Sequence, residues 1–261
     1  MKNYKLSGII SVAVMGLALM NFASCSEKKF KVNGTITQAK DSILYLENMS
    51  LSGPRTVDSV KLDESGNFEF SYKAAPAPEF YRLRIANQIV NIGVDSTETI
   101  NVKAAYPTMS ANYEVSGSEE CAKIRELAYM QLALQNKVTA IANSNSLGVA
   151  AVEDSVAKVL DVYKNKVKMD YIFKEPMKAY AYYALFQTVQ LGNANMLIFN
   201  PRSNKEDVKV FAAVATSWDT YFPEAERGLN LHNIAIEGMK NVRIAENNAR
   251  QTISADKVQV A

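Results

Sequence analysis

The chain has 261 residues, 48% of them hydrophobic, and 29 basic against 27 acidic side chains give a formal charge of +2. This apolar content excludes an intrinsically disordered chain, and the near balance of charge excludes the basic surface that nucleic-acid binding requires, so we expect no nucleic-acid partner. The only two cysteines, Cys25 and Cys121, are too few for an internal disulfide framework.

The N-terminal residues have the order of segments typical of an export signal. Lys2 and Lys5 precede an apolar run over residues 8–20, and small residues lead to Cys25. The run is too short to cross a bilayer well. Together these features predict a lipoprotein signal peptide over residues 1–24.

We expect Cys25 to be lipidated, with residues 25–29 forming a short tether. The chain would then be exported and anchored in the cell envelope, on the periplasmic side of the inner or outer membrane, with the membrane as its partner through the lipid. Phe22 stands where such signals usually carry leucine. An ordinary signal peptide or an uncleaved membrane anchor is therefore the alternative.

Residues 30–117 alternate apolar and polar side chains with the period of a β-strand. Turn-forming sequences divide this stretch into about eight short strands, which predicts an antiparallel β-sandwich domain. Gly66, in the turn after Asp63, predicts a hairpin over residues 57–72. Asn87-Gln88 predicts a second hairpin with a two-residue loop.

At Gly117-Ser118 the hydrophobic period changes to that of an α-helix, so we place a helical domain over residues 118–254. Ser118 is the expected N-cap of the first helix. The predicted fold class is therefore α+β, with a β-sandwich followed by an α-helical bundle. Residues 255–261 alternate again, which predicts the start of a strand or a linker to a missing domain.

The helical domain is expected to centre on its third helix. That helix begins near Pro176, is apolar almost all round over residues 179–186, and ends at Gly192. Asn204 is the expected start of a fourth helix. A fifth helix is expected to bend at Gly238 before a last, more polar helix.

Several short pieces of the chain carry a family resemblance: Gly34-Thr35-Ile36, Tyr45-Leu46, Asp58-Ser59-Val60, Gly66-Asn67-Phe68-Glu69-Phe70, Phe80-Tyr81-Arg82-Leu83 and Val115-Ser116-Gly117-Ser118. They resemble DUF4369, an N-terminal domain of unknown function in envelope lipoproteins of certain Gram-negative anaerobes. The resemblance implies that a thioredoxin-like domain follows, giving a membrane-tethered thiol-disulfide reductase. This sequence has no Cys-x-x-Cys, so the resemblance does not carry the reductase activity to these residues.

Neither the second thiol nor the single imidazole predicts a catalytic site. Cys121 lies in the first turn of a predicted helix, where a thiol can be activated, but Glu119, Glu120 and Glu126 would raise its pKa. His232 is the only histidine, which excludes paired-histidine zinc motifs, and no Gly-x-Ser-x-Gly supplies a nucleophile. We therefore expect no catalytic residue, no metal site and no cofactor.

Four aromatic residues of the predicted third helix are the candidate ligand-facing side chains: Tyr180, Tyr182, Tyr183 and Phe186. Aromatic side chains serve both apolar cores and sugar or peptide sites. Core packing is the favoured interpretation, and a ligand cleft is the alternative.

These features predict a non-catalytic, membrane-anchored lipoprotein module. It would be the accessory or spacer part of a thioredoxin-like thiol-disulfide reductase system, with a thioredoxin-like domain or a redox protein as its partner. The alternative is a stand-alone lipoprotein that binds a peptide or a glycan. A hydrolase built around His232 is a third hypothesis.

Overall fold

The computed structural model describes residues 28–144, 146 and 148–259, with side chains described as far as residue 251. The predicted signal peptide, Cys25 and the first residues of the tether lie outside this part. Within the described residues, no helix is both long and apolar enough to cross a membrane.

Eight strands form the first half of the described chain: β1 Lys29–Thr37, β2 Ile43–Ser50, β3 Gly53–Lys61, β4 Asn67–Lys73, β5 Glu79–Ile85, β6 Gln88–Val94, β7 Thr99–Ala105 and β8 Tyr113–Ser116. They form two four-stranded sheets, ordered β4-β1-β7-β8 and β3-β2-β5-β6. The apolar residues of alternating positions face each other between the sheets and are fully buried, Phe30, Leu46, Leu83 and Ile100 among them. The structure confirms the predicted sandwich and its strand number.

The sandwich is not purely antiparallel, contrary to the prediction. β1 and β7 run parallel, with Val32 opposite Ile100, whereas the other neighbouring strands are antiparallel. Parallel and antiparallel strands both expose alternate residues on opposite faces, so the hydrophobic period carries no information about direction. The direction of β7 is set by the path of the chain between the two sheets.

The predicted hairpin over residues 57–72 is also wrong, because β3 and β4 belong to different sheets. Their connection is the expected turn: Asp63 accepts hydrogen bonds from the backbone N–H groups of Ser65 and Gly66. Gly66 has φ +67°, and its carbonyl accepts the N–H of Ile36 on β1. This bond directs the chain into the opposite sheet. The chain between β5 and β6 does form the expected hairpin with a two-residue loop, but the loop is Ala86-Asn87 and not Asn87-Gln88, because Gln88 pairs with Ile85 as the first residue of β6.

Five helices follow, α1 Glu119–Ala142, α2 Val149–Val167, α3 Ala179–Leu185, α4 Lys205–Tyr221 and α5 Glu226–Gln259, with a π-helical turn at Lys168–Ile172 after α2. Ser118 caps α1, as predicted, since its hydroxyl accepts the N–H of Cys121 at 3.2 Å. Asn204 likewise caps α4 through the N–H groups of Glu206 and Asp207. The α+β class is confirmed.

The predicted third helix is shorter than expected. It ends at Leu185, and a two-stranded hairpin follows, β9 Thr188–Leu191 and β10 Ala194–Leu197. Gly192, the predicted helix end, instead forms the hairpin turn with φ +58°.

The last helix is longer than expected. α5 runs unbroken through Gly238 and through residues 255–259, where the sequence predicted a strand or linker; residues 260 and 261 lie outside the described part. Gly238 serves a close approach, because a Cβ atom there would lie 2.5 Å from the carbonyl oxygen of Pro201.

The helices cover the outer face of β5 and β6. A Cβ atom on Gly93 would lie 2.6 Å from Ile124 of α1, so this glycine lets the helix approach the sheet closely. Phe80 projects from β5 into the core of the helical part, while Tyr81 beside it faces the core between the sheets. The described chain therefore has two apolar cores that share one sheet.

Candidate binding cleft

A cleft of about 870 Å³ lies where α3, the β9–β10 hairpin and the start of α5 meet the outer face of β5 and β6. Three of the four candidate aromatic residues line it: Tyr182, Tyr183 and Phe186. Tyr180 points elsewhere, since its hydroxyl donates to Glu175 and its ring packs edge-on against Tyr171.

Tyr182 belongs to the core and to the cleft at once. Its ring stacks on Phe80 at 5.1 Å between centroids and lies 4.9 Å from the rings of Phe186 and Trp218. Only 5% of Tyr182 is exposed. The ring of Tyr182 therefore packs in the core on one side and forms the floor of the cleft on the other.

Arg227 is the residue of the cleft that sequence reasoning missed. It is 6% exposed, and its guanidinium bonds Glu79 of β5 at 3.2 Å through Nε and 2.8 Å through Nη2. The same group lies 4.9 Å above the ring of Phe80. Burial lowers the pKa of Arg227, but the hydrogen bonds and charge of Glu79 outweigh that effect and leave it raised.

A local signal for Arg227 did exist. The positive charge of an arginine in the first turn of α5 is unfavourable at the positive end of the helix dipole. An acidic partner for Arg227 could therefore be expected. That partner is Glu79, 148 residues away in the sequence, which no local pattern could identify.

The other polar groups of the cleft are mostly neutral amides held by hydrogen bonds. Gln187 donates to the carbonyl of Leu127 at 3.0 Å and accepts from the hydroxyl of Tyr163 at 2.7 Å. Asn91 donates to the hydroxyl of Tyr183 at 3.1 Å. Gln187 uses both of its N–H groups within the protein, since it also donates to Gln131, so Asn91 is the one of these two amides that keeps hydrogen-bonding capacity for an uncharged ligand.

The second arginine of the cleft, Arg82, is also paired with an acid. Its Nε atom lies 2.6 Å from Glu47 on the neighbouring strand, which Arg84 bonds at 2.8 Å. Although burial raises the pKa of Glu47, the two arginines outweigh it and leave that pKa lowered. Both cationic side chains that line the cleft thus have a carboxylate partner, and the lining offers little free charge.

Cys121 lies away from the cleft, under the junction of α1 with β6. It is 1% exposed, and its thiol donates to the carbonyl of Gly93 at 3.2 Å. Burial raises the pKa of Cys121 to about 12. The thiol is therefore protonated at neutral pH and inaccessible to solvent.

His232 is half exposed on α5, and its Nδ1 atom lies 3.1 Å from Asp219. Among the described residues, no group of three or more histidine, cysteine, aspartate or glutamate side chains could hold a metal ion.

Part of the chain matches a known protein family. Residues 30–123, from β1 through the first turn of α1, match the family model of a domain of unknown function (DUF4369). No curated protein matches the chain. Among solved structures, a 9R-lipoxygenase from Cyanothece PCC8801 aligns at 14% identity over 56% of this chain and 27% of the lipoxygenase, with a TM-score of 0.20. The chain thus spans about a quarter of the length of that enzyme.

Proposed function

Because residues 30–123 carry a domain of unknown function, DUF4369, we propose that the chain is a non-catalytic, lipid-anchored module of the cell envelope, accessory to a thioredoxin-like thiol-disulfide reductase system. The observation that carries this proposal is the firm attachment of the helices to the sandwich. The buried Arg227–Glu79 pair and the contact of Cys121 with Gly93 both cross that junction. A module joined in this way can hold an attached or bound domain at a set position.

The length of the tether supports the spacer role. β1 begins at Lys29, four residues after Cys25. An extended chain covers at most about 3.6 Å per residue, so a lipid on Cys25 would hold the sandwich within roughly 14 Å of the membrane surface. The folded body beyond β1 would then set the height of a partner domain.

The buried thiol supports the non-catalytic part of the proposal. A thiol-disulfide reductase needs an accessible thiolate to attack and a second sulfur to resolve the mixed disulfide. Cys121 is buried, protonated and far in sequence from the other cysteine.

Genetic complementation tests the proposal. In the cell of origin, deletion of the chain should raise the oxidised fraction of envelope cysteines, measured by differential alkylation. Wild-type chain and Cys121→Ser should restore that fraction, whereas Cys25→Ala, which should also lose fatty-acid labelling, should not. An unchanged oxidised fraction after deletion, or full rescue by Cys25→Ala, would show that the proposed role is wrong.

A second candidate function is the capture of a peptide or a glycan, which the aromatic floor and neutral amides of the cleft support. Trp218, the only tryptophan, contacts Tyr182, so a bound ligand should change its fluorescence. Tyr183→Ala should weaken that change, and Tyr221→Ala is the matched control because Tyr221 is 58% exposed and outside the cleft. Equal responses of the two variants would exclude the cleft as the binding site.

A further inference from the structure

The β9–β10 hairpin forms a two-stranded sheet of its own beside the cleft, and its two edges differ. The free edge of β9 is covered by two glutamines of α1. Gln135 accepts the N–H of Gln190 at 2.8 Å and donates to its carbonyl at 3.0 Å, and Gln131 donates to the carbonyl of Thr188 at 2.7 Å. These side chains take the place of a neighbouring strand.

The free edge of β10 has no such cover. Gln190 and Thr188 direct their backbone groups to α1, so their partners in the antiparallel ladder, Asn195 and Leu197, direct theirs away from β9. All four residues of β10 are exposed. Within the described chain, no hydrogen bond satisfies the outward N–H and C=O groups of Asn195 and Leu197.

The other sheet edges near this region are protected. The edge of β6 is covered by Ser110, whose hydroxyl accepts the N–H of Ile89 at 2.7 Å, and by the thiol of Cys121. The edge strand β3 contains a proline and several charged side chains, which discourage pairing with another strand. β10, with the sequence Ala-Asn-Met-Leu, contains neither a proline nor a charged side chain.

An apolar pocket of about 530 Å³ lies along the open edge. Phe186, Phe211 and Ile234 line it together with Met196 and Leu197 of β10. Its two charged lining residues, Arg202 and Glu237, lie 3.8 Å apart and offset each other. The surroundings of the edge therefore favour an uncharged, partly apolar occupant.

We propose that the outer edge of β10 binds an extended, uncharged peptide segment, which adds to the hairpin as a third strand. Its backbone bonds the N–H and C=O groups of Asn195 and Leu197, and alternate side chains enter the pocket beside Phe186. A peptide is favoured over a glycan because these outward groups repeat at the spacing of alternate residues in a strand, about 6.8 Å. The proposal shares its ligand class with the second candidate function but places the ligand on the edge of β10 and in the adjoining pocket, not in the cleft that Tyr183 lines, so the two binding tests can fail separately. It does not depend on the redox role.

A pair of substitutions at Asn195 tests backbone pairing directly. Asn195→Pro removes the outward N–H without removing a bond between β9 and β10, whereas Asn195→Ala removes the side chain and keeps the N–H. The probes are fluorescein-labelled octapeptides with capped ends that alternate threonine with valine or leucine, measured by fluorescence polarisation. We expect Asn195→Ala to bind like the wild type and Asn195→Pro to bind at least about tenfold more weakly, the loss of roughly one hydrogen bond.

Methylating alternate backbone nitrogens of the probe should reproduce the loss on the wild-type protein. This arm keeps the test valid if circular dichroism shows that Asn195→Pro unfolds. Equal weakening by both Asn195 variants, absence of binding by every probe, or displacement of the probe by maltohexaose would overturn the proposal. Dimerisation of the wild type that Asn195→Pro abolishes would assign the edge to a second copy of the chain, and would overturn it too.

Discussion

Cys121 shows how position decides the chemistry of a residue. The N-terminus of a helix would favour its thiolate, but desolvation at the junction of α1 and β6 dominates. Nearby Glu98 and Glu120 add to the effect, and the net result is a pKa raised from 9.0 to about 12. The folded protein therefore keeps the thiol proton over a pH range in which the unfolded chain loses it.

This difference predicts a pH dependence of stability. The unfolded chain releases the thiol proton above about pH 9 and the folded chain only near pH 12, so the contribution of Cys121 to the free energy of unfolding should be constant below pH 9 and fall as the pH rises from 9 towards 12. Urea unfolding of wild type and Cys121→Ala at pH 7, 9 and 10.5 measures it. The difference between the two proteins should shrink at the highest pH, and a constant difference would contradict the raised pKa.

At the scale of elements, α5 shows that a glycine can mark a contact and not a bend. Gly238 lies against the backbone of Pro201, in the connection that precedes α4, and against Val208 within α4. The sequence alone could not distinguish a bend in the helix from a close contact with a neighbouring segment, because both favour a glycine.

Gly238→Ala should therefore destabilise the protein. In a free helix, alanine in place of glycine stabilises by about 1 kcal/mol, but a Cβ atom 2.5 Å from the carbonyl oxygen of Pro201 forces α5 away from its neighbour and should cost about 1–3 kcal/mol net. Gly228→Ala is the control, since its Cβ atom would meet Trp218 at an ordinary 3.5 Å. Thermal unfolding should lower Tm for the first variant and leave it unchanged or higher for the second; a higher Tm for Gly238→Ala would contradict the close approach.

The β9–β10 hairpin is the element that local propensity predicted least well. We expected the third helix to continue to Gly192, yet the chain leaves α3 after Leu185, and Thr188–Leu191, whose side chains alternate polar and apolar, form β9. The reason lies in α1, where Gln131 and Gln135 supply hydrogen-bond partners to the backbone of β9. The helix expected as far as Gly192 is therefore replaced by a strand whose backbone groups are bonded by side chains of α1.

At the scale of the whole molecule, Arg227 and Glu79 join the last helix to the sandwich. Arg227→Met keeps much of the side-chain volume but leaves Glu79 without its charged partner and the carbonyl of Met49 without the guanidinium donor, while Asn48 still donates to Glu79. We expect a loss of about 3 kcal/mol in the free energy of unfolding, as is typical when one partner of a buried pair is removed. The exposed pair of Lys158 with Asp154 supplies the control, because Lys158→Met should change stability by less than about 0.5 kcal/mol. Similar losses for both variants would refute the buried role of Arg227.

The separate core of the sandwich predicts that residues 28–117 fold alone. The fragment keeps the buried residues between the two sheets and loses the helices that cover Phe80 and Gly93. We expect a soluble, strand-rich fragment with a lower Tm than the full chain, measured by circular dichroism. If it is always unfolded or aggregated, the sheet needs the helices to cover its outer face, and the boundary at Gly117 does not separate two folding units.

The sequence by itself determined the α+β class, the number of sandwich strands, and the caps of α1 and α4. These features depend on side chains within one element, so a hydrophobic period or a residue such as Ser118 is sufficient to predict them. The DUF4369 resemblance was likewise carried by short local pieces that the family match over residues 30–123 bears out.

Only the tertiary structure decided which strands pair, where α3 ends, and what lines the cleft. The parallel pairing of β1 with β7, the bond of Arg227 to Glu79 and the cover of β9 by glutamines all join residues that are distant in sequence. Such contacts depend on the path of the chain through space, and a period of two or of 3.6 residues is the same whichever partner lies opposite.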